Sequence, residues 1–232
     1  MSVEANLQAI REAIAKAAET VGRDASEIKL VAVTKTHPVA TIRDAFDAGV
    51  RVFGENKVQE AEGKIAEIGR PAAEWHLIGH LQSNKARKAV QLFDVIHSLD
   101  SVELAQRLER ICEEEGREEL PVLVQVDLAD EETKSGITRH DLPKLIAYLK
   151  TCKHLICNGL MVLPPFYEDP EATRPYFKRL RAIRDDLLTQ RAFAHDYGEL
   201  SMGMTHDFVV AIEEGATIVR VGTAIFGERS YS

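Results

Sequence analysis

Eight short apolar runs, each separated from the next by one helical segment, leave this chain few folds to choose from. The runs are "IKLVAVT" (28–34), "VRVFGE" (50–55), "EWHLIG" (74–79), "DVIHSL" (94–99), "PVLVQVDL" (121–128), "HLICNGLMVL" (154–163), "ELSMG" (199–203) and "TIVRVG" (217–222). Amphipathic segments near 39–48, 56–68, 83–92, 101–116, 139–151, 171–191 and 205–215 lie between them. Strands apolar on both faces and alternating with helices belong to parallel sheets with helices outside. Eight equal units predict a closed (β/α)8 TIM barrel. An earlier helix, with Leu7, Ile10, Ile14, Ala17 and Val21 on one face, is an addition before the first strand. An open doubly wound sheet is the alternative, but no GxGxxG follows the first run. With no linker or low-complexity tract in its 232 residues, the expectation is a single domain spanning 1–232.

Charge narrows the partners. A formal net charge of −8 argues against a nucleic-acid footprint, and the Lys85, Arg87, Lys88 cluster reads as a solvated helix face. No apolar stretch is long enough to cross a bilayer, and the start "MSVEANLQAI" has no signal-peptide pattern. Three cysteines without a CxxC suggest neither a disulfide framework nor zinc, so no metal and a cytoplasmic location are expected.

Barrels of this kind carry their chemistry at the C-terminal strand ends. Lys35 ends the first strand in line with Val31 and Val33, which places it inward if they are. A partly desolvated amine there can form a Schiff base with an aldehyde; a lysine snorkelling into solvent is the commoner case. After strand seven come Ser201, Gly203 and Thr205, and after strand eight Gly222 and Thr223. These small and hydroxyl-bearing residues stand where such barrels bind phosphate, although Thr205 and Gly222 alone read as a helix cap and a turn residue. Pyridoxal 5′-phosphate (PLP) supplies both an aldehyde and a phosphate. Arg220, two residues before Gly222, can face the ring nitrogen of such a cofactor, or pair with a strand carboxylate such as Asp127. His76, His80 and His97 lie near strand ends but lack metal spacing, and "YEDPEATRP" (167–175) reads as a loop near the mouth able to serve as a lid.

Eight segments in order, "AVTKTHP", "FGENKVQE", "WHLIGHLQSNK", "HSLDS", "VLVQVDLADEETKSG", "GLMVLPP", "LSMGMTHDFVVAI" and "GATIVRVGTAIFGER", resemble the pyridoxal phosphate homeostasis proteins, relatives of the alanine racemase barrel. The resemblance implies the PLP fold type III barrel without its C-terminal β-domain. It implies that Lys35 carries PLP as a Schiff base, that Ser201, Gly222 and Thr223 with the turn at Gly203 and Thr205 hold the phosphate, that Arg220 faces the pyridine nitrogen, and that Asn56 lies beside the ring. His37 departs from relatives with a second lysine there, and Thr205 replaces a common serine.

The resemblance also frames two functions. One is a PLP carrier that buffers or delivers the cofactor, PLP-dependent apo-enzymes being its partners, with indirect effects on amino-acid and keto-acid balance. The other is an amino-acid racemase of low activity. Racemases of this kind add a β-rich domain and a tyrosine base from the partner subunit. This sequence ends at Ser232, soon after the eighth strand, and none of Tyr148, Tyr167, Tyr176, Tyr197 and Tyr231 lies in a racemase-like motif. A missing general base costs about 10²–10⁴-fold in rate, so a non-catalytic, monomeric carrier is expected.

Overall fold

The computed structural model describes residues 2–129 and 135–227. Tyr231 and parts of two quoted motifs, at 130–134 and 228–229, lie outside them. The chain opens with α1 (Val3–Thr20), whose Ser2 hydroxyl accepts from the Ala5 N–H as an N-cap. Then follow β1 (Lys29–Val33), α2 (Val39–Asp47), β2 (Val52–Glu55), α3 (Val58–Ile68), β3 (Glu74–Leu77), α4 (Ala86–Leu92), β4 (Val95–Leu99) and α5 (Val102–Glu115). The second half runs β5 (Leu120–Gln125), α6 (Leu142–Leu149), β6 (Leu155–Met161), α7 (Arg174–Thr189), β7 (Glu199–Met204), α8 (Phe208–Glu213), β8 (Ile218–Val221) and α9 (Thr223–Phe226).

The eight strands pair in sequence order, all parallel, and β8 closes on β1. The expected (β/α)8 barrel is therefore present. Strand alternation sorts its residues into two cores. Outward residues such as Phe53, Trp75, Ile96, Val124 and Leu160 join the helices in the main core, where Phe53 stacks on Trp75 at 5.2 Å. Inward Val31, Leu123, Met161 and Ile218 form a small separate cluster inside the barrel. The rest of the interior is polar: Glu74, His76, His97, Ser201 and Arg220 are linked there by hydrogen bonds. Cys112 and Cys157 are buried and Cys152 half-buried, all three as free thiols. No helix among the described residues is long and apolar enough to cross a membrane.

Two local expectations change. Segment 167–175 is no free loop: Pro170–Thr173 is a 3-10 turn leading into α7. Arg174 ties it down, donating to Glu171, Glu213 and Glu214 at 2.6–2.8 Å, while the Tyr167 and Tyr176 hydroxyls meet at 2.8 Å. Helix α8 starts at Phe208 rather than 205, because Asp207 turns back to accept from the Met204 N–H at 2.7 Å. The short α9 follows β8 directly, and α1 packs across α8 and α9.

Candidate functional site

Lys35 sits on a tight turn just past β1 that α3 holds from behind. The Thr34 N–H donates to the Gly54 carbonyl at 3.0 Å, and the His37 N–H returns to the Thr34 carbonyl at 3.1 Å. Thr36 takes φ +66°, a conformation uncommon for a residue with a β-branched side chain. Two α3 side chains maintain it: Glu60 accepts from the Thr36 N–H at 3.2 Å, and Lys64 donates to the Thr34 carbonyl at 2.6 Å. Lys64 also pairs with fully buried Glu55 at 2.6 Å. The Thr34 hydroxyl donates to the same Glu55 oxygen. The His37 ring packs on Phe226, 5.0 Å between centroids, which joins this turn to α9.

A cavity of about 960 Å³ opens at this end of the barrel, and Lys35, Asn56, Thr205, Arg220, Gly222 and Thr223 all line it. Two close backbone approaches shape its wall. A Cβ on Gly79 would lie 2.3 Å from the Asn56 carbonyl oxygen, and one on Gly222 would lie 3.1 Å from the Val33 oxygen. Facing donors converge here: the Gly222 and Ala224 N–H groups both donate to the Thr205 hydroxyl, at 3.3 and 3.5 Å. These bonds are long and share one oxygen, as in a cradle suited to a larger group of acceptors. The described lining residues include Lys35, Arg220 and three histidines but no carboxylate, in a chain whose net charge is −8. Such a wall favours an anion bearing several acceptor oxygens.

Ser201 and Gly203 do not line the cavity. The Ser201 hydroxyl lies inside the barrel, within 2.9 Å of His97 Nδ1, and accepts from Arg220 at 2.5 Å. Gly203, at φ +91°, instead packs its backbone against Phe208 and Ala211 of α8. Arg220 is 2% exposed and also donates to the Val162 carbonyl at 3.0 Å. Burial brings its pKa down to about 10, with the charge of Asp207 opposing, so it stays a cation at neutral pH. It does not pair with Asp127, whose carboxylate accepts from the Ala129 N–H instead.

The histidines divide by position. His76 and His97 are fully buried, and burial lowers both pKa values, so both are neutral. His80 is at the mouth, 3.3 Å from Asp100, whose carboxyl burial raises. No metal-ligating group of three His, Cys, Asp or Glu occurs among the described residues. Sequence reasoning passed over Gln125, Ser135, Phe166, Met204 and His206, which also line the cavity. Gln125 is the one with a readable signal, a polar residue closing an otherwise apolar strand and donating to the Ser135 carbonyl.

Glu74, at the other end of the barrel, gives a pH prediction. The hydrogen bond from His76, opposed by burial and helped by Lys29, lowers its pKa to about 2 from an ordinary 4.5. A depressed carboxyl contributes stability above the unfolded pKa and loses it as pH falls through the folded value. The wild-type protein is therefore expected to lose stability from about pH 4.5 towards 2 more steeply than Glu74→Gln, as read by urea unfolding; parallel curves would disprove the assignment.

Comparison with known proteins places this barrel in a family. Residues 5–230 match the family model for the alanine racemase N-terminal domain. The pyridoxal phosphate homeostasis protein of Aquifex aeolicus is 43% identical over 225 residues, covering 97% of each chain. The PLP-bound structure of PipY from Synechococcus elongatus superposes with a TM-score of 0.83 at 40% identity, covering 97% of this chain and all of that one. Alanine racemase from Corynebacterium glutamicum shares the barrel at a TM-score of 0.70 but only 18% identity, with 62% of its length covered. With near full-length identity above 40% and a matching barrel, this chain belongs to the pyridoxal phosphate homeostasis family, within the alanine racemase N-terminal domain group.

Proposed function

We propose that this protein holds PLP at the mouth of its barrel, covalently on Lys35, as a store from which PLP-dependent apo-enzymes are supplied. The observation that carries the reading is a cavity with Lys35 on one wall and, on another, the Gly222 and Ala224 N–H groups converging on the Thr205 hydroxyl, with no carboxylate among its described lining residues. When bound, PLP supplies an aldehyde and an electron-withdrawing ring. The protein's own groups supply the rest: Lys35 is the nucleophile for the aldehyde, and Thr205, Gly222 and Thr223 hold the phosphate. Asn56 borders the ring, and Arg220 faces its nitrogen.

Arg220 decides between holding and turnover. A guanidinium has five N–H donors and no acceptor, so it cannot take up or share a proton from a protonated ring nitrogen. A pyridine ring held against Arg220 would be the weaker electron sink, which suits retention. A two-base racemase needs a proton carrier on each face of its substrate, and among the described residues no tyrosine lines the cavity. We read the chain as a monomeric single domain in the cytoplasm.

Borohydride reduction of the PLP-loaded protein, followed by peptide mass spectrometry, is expected to place a pyridoxyl group on Lys35, and Lys35→Ala is expected to carry none. Equal labelling of Lys35→Ala would sink the anchor assignment. Rapid formation of D-alanine from L-alanine by the loaded protein would sink the carrier half.

A further inference from the structure

A continuous hydrogen-bonded path crosses the barrel interior from its floor to Arg220. At the floor, Lys29 donates to Glu74 Oε1 at 3.1 Å, and the same oxygen meets His76 Nε2 at 2.7 Å. His76 Nδ1 then meets His97 Nε2 at 2.8 Å, His97 Nδ1 meets the Ser201 hydroxyl at 2.9 Å, and Arg220 donates to that hydroxyl at 2.5 Å. Between Glu74 and Arg220, every side chain is buried.

The directions of these bonds follow from counting protons. A carboxylate only accepts and a guanidinium only donates; each neutral imidazole has one N–H and serine one O–H. The three links from Glu74 to Ser201 therefore share three protons. Glu74 must receive one from His76 Nε2, which leaves His76 Nδ1 as an acceptor. His97 must then donate through Nε2, leaving its Nδ1 to accept from Ser201. The serine proton points away from Arg220, and the oxygen lone pairs point towards it.

This ordering answers a question about Arg220. It is a buried cation that makes no ion pair among the described residues, and Asp207 is the carboxylate whose charge reaches it. Burying an uncompensated charge is costly. Aligned dipoles ending in serine lone pairs supply compensation, and reversing the two imidazoles would turn N–H groups towards the cation instead. Lys29 and Glu199 stand at the floor with Glu74, and their charges act on it and on each other.

We propose that Glu74, His76, His97 and Ser201 are positioning residues for Arg220, and that Glu74 fixes their proton order from the far end of the barrel. Through them Glu74 holds the guanidinium aimed at the cavity. The link to cofactor binding rests on the reading that Arg220 faces the ring nitrogen of PLP.

Two measurements separate the relay from that reading. Nitrogen-15 NMR of the unloaded protein is expected to show both buried imidazoles as Nε2–H, non-titrating tautomers. In Glu74→Met, which lacks an acceptor, at least one is expected to populate the Nδ1–H form, while Glu74→Gln, whose carbonyl still accepts, restores the wild-type pattern. PLP titration then reads the coupling. Glu74→Met and Ser201→Ala are each expected to weaken binding about tenfold, on the scale of one charge-assisted hydrogen bond. The double variant is expected to be no weaker than the poorer single one, since both break one path. Unchanged tautomers in Glu74→Met, or losses that multiply to about a hundredfold, overturn the proposal. A wild-type protein that shows the Nε2–H pattern but takes up no PLP keeps the relay and overturns the reading of Arg220.

Discussion

Lys64→Met is expected to lose roughly 3–5 kcal/mol of stability at neutral pH, the usual cost of removing one partner of a buried ion pair. Lys64 donates to Glu55 and to the Thr34 carbonyl, both at 2.6 Å. Without it, Glu55 keeps only the Thr34 hydroxyl, because its second oxygen already has no hydrogen-bond partner. Burial holds the Glu55 carboxyl above its ordinary pKa even with Lys64 present, and the loss of that ammonium pushes it higher. A carboxyl with a raised folded pKa contributes fully below the unfolded value, and its contribution is lost as pH rises through the folded one. The deficit of the variant is therefore smaller near pH 5 than near pH 8. Glu55→Leu with Lys64→Met recovers most of the loss, since no buried charge remains unpaired.

The same variant is expected to retain PLP less well, because Lys64 holds the carbonyl one residue before Lys35. Urea unfolding at two pH values, with PLP retention on gel filtration, tests both effects. A Lys64→Met protein within about 1 kcal/mol of wild type at pH 8 would remove the pair from any role in fixing the Lys35 turn.

Much of this arrangement is readable in the sequence because it depends on local periodicity. Strand alternation placed Lys35 in line with inward Val31 and Arg220 in line with Ile218, and loop position brought Thr205, Gly222 and Thr223 to the same end. What alternation does not carry is depth. The register pairs Ser201 with Ile218 and, after an irregularity, Met204 with Arg220. Ser201 therefore sits below the mouth, with its hydroxyl on the relay rather than at the cavity. The relay itself joins residues up to 104 positions apart, so only the folded chain brings them together. Lys64 left a fainter trace: it shares a face of α3 with Val58, Ala61 and Ile65, where a lysine is out of place without a buried acid. Segment 167–175 is harder to read, because its Pro, Asp and Glu content resembles a loop although Pro170–Thr173 forms a 3-10 turn. Its anchoring by Arg174 depends on two glutamates nearly forty residues away.

Gly203→Ala is expected to cost roughly 2–5 kcal/mol, by two separable terms. The backbone stands at φ +91°, where a side chain adds about 1–2 kcal/mol. Its new Cβ would also lie 2.6 Å from the Ala211 Cβ and 2.9 Å from the Phe208 Cα. Neither neighbour is the end of a flexible chain, so α8 itself must move, with an overpacking cost of about 1–3 kcal/mol. Gly22→Ala isolates the first term, since Gly22 has φ +68° but nothing within 4 Å of the added carbon. It is expected to lose about 1–2 kcal/mol and to keep its affinity for PLP. Gly203 lies between Ser201 and Thr205, so a shift there displaces both the acceptor for Arg220 and the hydroxyl that meets the Gly222 and Ala224 amides. Phosphate affinity is therefore expected to fall with stability in Gly203→Ala, measured by PLP titration beside urea unfolding. Equal losses in the two glycine variants would mean that α8 yields freely and that the turn at Gly203 does not set the Thr205 side of the cavity.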